Sequence, residues 1–141
     1  MADCPQHPQP FRLWQRGFYV AMGGGLIVLL AVAAWLEPAE QGFGTHRALG
    51  FPECSFLALT DRRCPSCGMT TSWAYWMRGR VLRAVEVNAG GALLALVATI
   101  CGPWLLISGL RGRYAWFRLN EYVLIGLAVI TVVVVLIQWG W

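Results

Sequence analysis

Residues 89–110, AGGALLALVATICGPWLLISGL, run for 22 positions without a charged side chain. A helix needs about 20 apolar residues to cross the roughly 30 Å hydrocarbon core of a bilayer. Two further stretches have the same character: 17–36, GFYVAMGGGLIVLLAVAAWL, and 122–139, YVLIGLAVITVVVVLIQW. Only 13% of the 141 residues are charged and 57% are hydrophobic, against roughly 25% charged in an ordinary globular domain. A soluble fold would have too little polar surface to cover three such helices, so the pattern predicts membrane spans at about 17–36, 89–110 and 121–140. Trp14, Phe18, Tyr19 and Trp35 bracket the first block. Trp116, Phe117 and Tyr122 precede the third, and Trp139 and Trp141 close it. Such rings settle at the lipid–water interface.

The first block admits a second reading as a signal peptide, because Arg12 and Arg16 precede it and Ala31-Val32-Ala33 mimics a cleavage site. Its apolar run is long for that role, and an uncleaved span is favoured. Gly23-Gly24-Gly25 inside it permits a second helix to approach closely, or else faces lipid.

Three spans place the N-terminus and the 111–120 loop on one face, with segment 37–88 and the C-terminus on the other. The first face carries Arg12, Arg16, Arg111, Arg113 and Arg118 close to span ends. The second has six arginines spread over a longer stretch with five acids. Density of basic residues near span ends predicts an inward N-terminus and an outward 37–88 segment in a multi-pass membrane protein. The net charge of +4 contains no lysine and forms no soluble basic stripe, so nucleic acid is not an expected partner. The lipid bilayer is, together with a membrane-protein partner or a second copy of the chain.

Pro38 ends the first helix. Residues 39–53, with Gly42, Gly44, Gly50 and Pro52, read as an irregular loop. A helix starting near Ser66, capped by Ser66 or Thr70, would carry Met69, Trp73, Trp76 and Met77 on one apolar face. Gly79 breaks it. A second short helix, 80–88, carries Val81, Leu82 and Val85 opposite the Arg83/Glu86 pair. Both suit the membrane interface, and the first also suits a re-entrant segment. No repeat or linker divides residues 1–141, which read as one domain, and the fold class is an all-α membrane protein with three spans and short interfacial helices carrying a CxxC motif.

The chemistry concentrates in Cys64-Pro65-Ser66-Cys67-Gly68, with Cys54 ten residues upstream. Taken in order, Cys54, Leu59-Thr60, Cys64 to Thr70, Arg78-Gly79-Arg80 and Asn88 resemble the DUF2752 family, uncharacterised bacterial membrane proteins with a CPxCG motif. The resemblance covers roughly Phe51 to Leu110. Many members carry arginine after the motif threonine, where this chain has Thr71, so no role for that arginine transfers. The resemblance implies the fold and the importance of the cysteines, and no activity.

Three uses of the cysteines stay open. An outward segment favours a disulfide among Cys54, Cys64 and Cys67. A metal site is the second use, most natural on a cytosolic face. The three cysteines supply three of the four ligands of a zinc site, and His46 is the one histidine on that face to complete it. The third is thiol–disulfide redox chemistry, with the CxxC activated by a helix N-terminus and by Arg62 and Arg63. No thioredoxin-like pattern surrounds it, and no quinone or flavin site is evident. No cofactor is expected, and zinc is the one to consider if the cysteines bind a metal. A hydrolase lacks a partnered base, since only His7 and His46 exist. The scattered carboxylates make no acid–base pair, and the uncharged spans offer no proton path. Cys101 reads as a small apolar residue inside the second span, and Cys4 lies on the opposite face. The expected role is a non-enzymatic subunit or scaffold that presents 37–88, with Trp73 and Trp76 as interface anchors. The competing role is a membrane thiol–disulfide oxidoreductase using Cys64 and Cys67.

Overall fold

The computed structural model describes residues 11–50, 52, 54–60, 64, 66–115 and 121–140, without the side chains of His46, Leu57, Ala58, Glu121 and Leu124. Expectations for Cys4, His7, Glu53, Asp61, Arg62, Arg63, Pro65, Trp116, Phe117, Arg118 and Trp141 lie outside the described residues, as does any ligand role for the His46 imidazole. Among the described residues all regular structure is helical: α1 (Leu13–Trp35), a 3-10 turn (Thr45–Leu49), α2 (Ser55–Thr60), α3 (Met69–Met77), α4 (Val81–Val87), α5 (Ala89–Arg111) and α6 (Glu121–Gly140).

α1 and α5, 23 residues each, are long and apolar enough to cross a membrane. They pack antiparallel through glycine. A Cβ on Gly23 would strike the Leu106 backbone and lie 2.8 Å from the Gly102 carbonyl, and one on Gly109 would lie 2.9 Å from the Val20 nitrogen. Small residues thus let two backbones meet, the device that builds helix pairs where water supplies no hydrophobic drive. Gly24 and Gly25 face open space, so the triple glycine divides between packing and exposure. At the far end of the pair, Arg16 donates to the Gly109 and Leu110 carbonyls at 3.3 and 3.0 Å, satisfying the last turn of α5. Trp104 is buried there, stacked on Tyr114 at 6.1 Å between ring centroids.

α6 has 20 residues and meets α5 near the latter's N-terminus. The Gln138 side chain accepts the Ala89 backbone N–H at 2.6 Å, and Gly90 leaves the room that the Val135 side chain fills. Most of the remaining apolar surface of α6 is exposed.

The short helices correct one expectation, the cap of α3. The N-cap of α3 is Gly68, in the left-handed region with φ +85°, and no side chain of Ser66 or Thr70 caps it. The buried face of α3 is Thr71, Ser72 and Ala74, whereas Trp73 and Trp76 are half-buried and Met77 is exposed. Close approach decides this. A Cβ on Gly91 of α5 would lie 3.3 Å from the Met69 Cα, a gap that admits hydroxyls and methyls but no indole. The Ser72 hydroxyl is shared between the Ala84 and Asn88 carbonyls at 2.8 and 3.0 Å, tying α3 to both ends of the α4–α5 junction. Thr71 and Thr45 pair their hydroxyls at 2.7 Å, and Thr45 also accepts the Ala39 N–H at 3.0 Å. The loop after α1 is thereby fastened to α3. α4 exposes Val81, Leu82 and Val85 and buries Ala84, with the Arg83–Glu86 pair at 3.1 Å in the open.

Candidate functional site

The turn before α3 is dictated locally. Cys67 N–H donates to the Cys64 carbonyl at 2.9 Å and Met69 N–H to the Ser66 carbonyl at 3.2 Å. Gly68 follows in the left-handed region, which side chains other than glycine seldom adopt. A Cβ there would also lie 2.7 Å from the Gly42 carbonyl oxygen and 2.9 Å from Val87 Cγ1. Gly68 therefore lets the turn sit flat on the 39–45 loop and the end of α4. Both cysteines of the pair precede the helix cap.

That turn brings three sulfurs together. Cys64 Sγ is 3.1 Å from Cys67 Sγ and 3.6 Å from Cys54 Sγ, and all three lie within 4.8 Å of one another. Cys54 reaches the group from a separate segment, just ahead of α2. All three are half-buried. Cys101, the other cysteine among the described residues, sits on α5 and stays out of the group.

Asn88 holds the turn from beneath. Its side chain is buried, its Nδ2 donates to the Cys67 carbonyl at 3.2 Å and its Oδ1 accepts the Gly91 N–H at 2.7 Å. One amide thus caps α5 and fixes the backbone of a cluster cysteine. The detectable sign was an asparagine directly before an apolar block, a usual N-cap position. Asn88→Ala is expected to cost about 1–2 kcal/mol through the lost cap and the exposed carbonyl. Asn88→Asp keeps the cap acceptor but turns an oxygen toward the Cys67 carbonyl, so it should recover only part of the loss. Thermal unfolding in detergent reads both, and an aspartate variant as stable as the parent would show that the Cys67 contact carries nothing.

The Cys67 thiol is pushed up to about 12, first by burial and then by the neighbouring Cys64 and Cys54 thiols, against an opposing hydrogen bond from the Cys64 backbone. The expected activation by the start of α3 is therefore outweighed at Cys67. With the thiolate at roughly one part in ten thousand at pH 8, iodoacetamide should modify Cys67 slowly in chelator-treated protein. The rate should climb about tenfold per pH unit up to about pH 11. Peptide mass mapping at several pH values checks this, and modification at the speed of an unhindered thiol would contradict it.

The cysteines form part of the wall of a cavity of about 580 Å³, which continues along the 41–47 loop and the first residues of α3. The class defined by this fold and site is an all-helical protein with two helices suited to membrane crossing and a three-cysteine cluster on the connection between them. Residues 54–102 match the family described as protein of unknown function (DUF2752), the assignment to which the cysteine pattern pointed. The matched stretch runs from the first cluster cysteine into the middle of α5, so it takes in the whole cluster and the Asn88 support. No curated protein and no solved structure matches the chain.

Proposed function

We propose that this is a three-span membrane protein, of the inner membrane in a bacterium, whose 37–88 segment is clamped by a metal ion held by Cys54, Cys64 and Cys67. Its role is that of a non-enzymatic scaffold or subunit that presents this clamped segment at the membrane surface. The observation that carries the metal reading is the convergence of three thiols from two separate segments within 4.8 Å. A disulfide needs two sulfurs and leaves the third unexplained. Thiolates bound at about 2.3 Å around a tetrahedral zinc ion lie about 3.8 Å apart, and the Cys54–Cys64 separation of 3.6 Å already approaches that spacing. The same crowding that raises the Cys67 thiol favours a cation, because a divalent ion makes clustered thiolates stable where solvent does not. Soft thiolates select zinc among the abundant divalent ions.

Membrane residence is supported by exposure. Only 17% of the most apolar window of α1 and 33% of that of α5 is buried, whereas the core helix of a soluble protein would be mostly covered. Exposed Trp14, Phe18, Trp35, Tyr122 and Trp139 fall near helix ends, as interface anchors do. Arginine density supports an inward N-terminus and an outward cysteine segment, where bound metal would shield the thiols from oxidation. A membrane-impermeant maleimide should then label Glu40→Cys in intact cells, and labelling only after lysis would reverse the orientation.

The 3.1 Å Cys64–Cys67 approach favours a second reading, a redox-active dithiol. Thiol titration of the native protein separates the two. A chelator alone should raise the number of titratable thiols by three, with Cys67 the slowest of them to react. If reductant releases them and chelator does not, the metal reading fails and the dithiol reading replaces it.

A further inference from the structure

We infer that α3 and α4 form a re-entrant hairpin whose arginine tip docks, within the bilayer, a carboxylate-bearing spanning helix of another membrane protein. The inference rests on the membrane reading above and concerns what this hairpin meets there. α3 begins against the start of α5, where a Cβ on Gly91 would lie 3.3 Å from the Met69 Cα. It ends with Trp76 Nε1 donating to Thr99 Oγ1 at 3.1 Å. Thr99 lies eight residues beyond Gly91, about 12 Å further along α5. α3 also packs on α1, so it runs along the helical pair. α4 returns, and Asn88 directly after it opens α5. Were the level of Thr99 outside the bilayer, residues 100–111 would supply only about 18 Å of the roughly 30 Å that a span must cross. The tip at 77–80 therefore lies below the headgroups. Its backbone suits that depth, where each polar group needs an internal partner. The N–H groups of Arg78, Gly79 and Arg80 donate to the Tyr75, Trp76 and Tyr75 carbonyls at 3.1, 2.9 and 3.0 Å. Met77, Val81, Leu82 and Val85 beside it are exposed.

Charge specifies the partner. Arg83 pairs with Glu86 at 3.1 Å, and Arg78 donates to the Ala74 carbonyl at 3.0 Å. The exposed Arg80 side chain makes no hydrogen bond or ion pair among the described residues. An arginine at membrane depth calls for a partner that meets its charge. Arg80 lies about 12 Å along α4 from Asn88, which favours an acid held at that depth over a phosphate at the surface. A second copy of the chain does not supply one. Its apolar blocks 17–36, 89–110 and 122–139 contain no acid, and Glu86 is already paired. A carboxylate on a different protein's spanning helix would meet the guanidinium in bidentate form. Val81 and Leu82 would pack on the same helix.

The test uses the full chain in phosphatidylcholine nanodiscs, in two steps. Lipids with a photoreactive diazirine midway along the acyl chain should mark Leu82, as well as the exposed Leu29 and Ile130 of the long helices. Marks at Leu29 and Ile130 without one at Leu82 would overturn the inference and leave the membrane reading intact. No acyl-chain mark at any of the three would overturn both. In the second step a dansyl-labelled polyleucine spanning peptide, with one glutamate about eight residues below the headgroup level, is titrated by energy transfer from the protein's tryptophans. It should bind at least tenfold more tightly than its glutamine counterpart. Arg80→Gln should erase that preference, while Arg80→Lys should keep part of it and show that the hairpin still folds. Equal affinity for the two peptides would assign Arg80 to lipid phosphate and overturn the inference. A preference that survives Arg80→Gln would overturn it as well.

Discussion

Cys64→Ser is expected to weaken zinc binding at least a hundredfold, equivalent to about 2.7 kcal/mol, and to loosen the whole 37–88 segment. Cys64 is the sulfur common to both close contacts, 3.6 Å to Cys54 and 3.1 Å to Cys67, so its loss leaves two thiols with no shared neighbour. Structural zinc sites contribute about 10–16 kcal/mol in total, which makes several kcal/mol per thiolate a reasonable share. Cys101→Ser is the matched control. That residue lies on α5 outside the cluster, and its replacement should leave metal affinity unchanged. Competition with a chromophoric chelator measures both. Equal affinity in the Cys64 variant and the parent would remove Cys64 from the site.

Gly23→Leu should destabilise the helical pair by about 3 kcal/mol or more, at the upper end of overpacking costs. Its new side chain would enter the Leu106 backbone and the Gly102 carbonyl, neither of which can rotate aside. The helices must separate, and the aromatic cluster of Tyr19, Trp104 and Tyr114 with the Arg16 contacts to α5 would open with them. At Gly24, one residue on, an added Cβ meets nothing within 4 Å, so Gly24→Leu should stay within about 0.5 kcal/mol of the parent. Unfolding in detergent mixtures followed by tryptophan fluorescence compares the two. Equal losses would show that α1 and α5 do not cross at Gly23.

These two sites also show what a sequence reveals and what it hides. The long helices were legible because charge is absent over a length set by the bilayer. The expected span 17–36 became helix Leu13–Trp35, and 89–110 became Ala89–Arg111. The third apolar stretch, expected as a span at 121–140, forms helix Glu121–Gly140, but among the described residues only α1 and α5 are long and apolar enough to cross a membrane. The small elements were less legible. Helical periodicity placed Trp73 and Trp76 on a common face of α3, but the backbone of α5 comes so near that Thr71, Ser72 and Ala74 fill the contact. A hydroxyl-lined core leaves no hydrophobic period to detect. The cap of α3 was misassigned because Ser66 and Thr70 have capping side chains, while the turn requires a positive φ, which Gly68 supplies.

The cysteine site was half legible. The CxxC spacing binds Cys64 and Cys67 into one turn by itself. Cys54 joins them only through the path of the chain across α2, which no spacing rule gives. Asn88 was visible as part of the family pattern, yet its double task, capping α5 and holding the Cys67 carbonyl, needs the two elements side by side. Thr71, which follows the motif threonine, is fully buried against Thr45, so in this chain that position serves packing of the loop onto α3.

The cluster therefore joins the two helices suited to membrane crossing: its turn rests on the loop after α1 and is tied by Asn88 to the first residue pairs of α5. Metal binding there would stiffen the connection between them. X-ray absorption on protein purified without added metal tests this most directly. One ion per chain with three sulfur ligands at about 2.3 Å is the expected result. An ion bound through nitrogen and oxygen alone, or no ion at all, would contradict it.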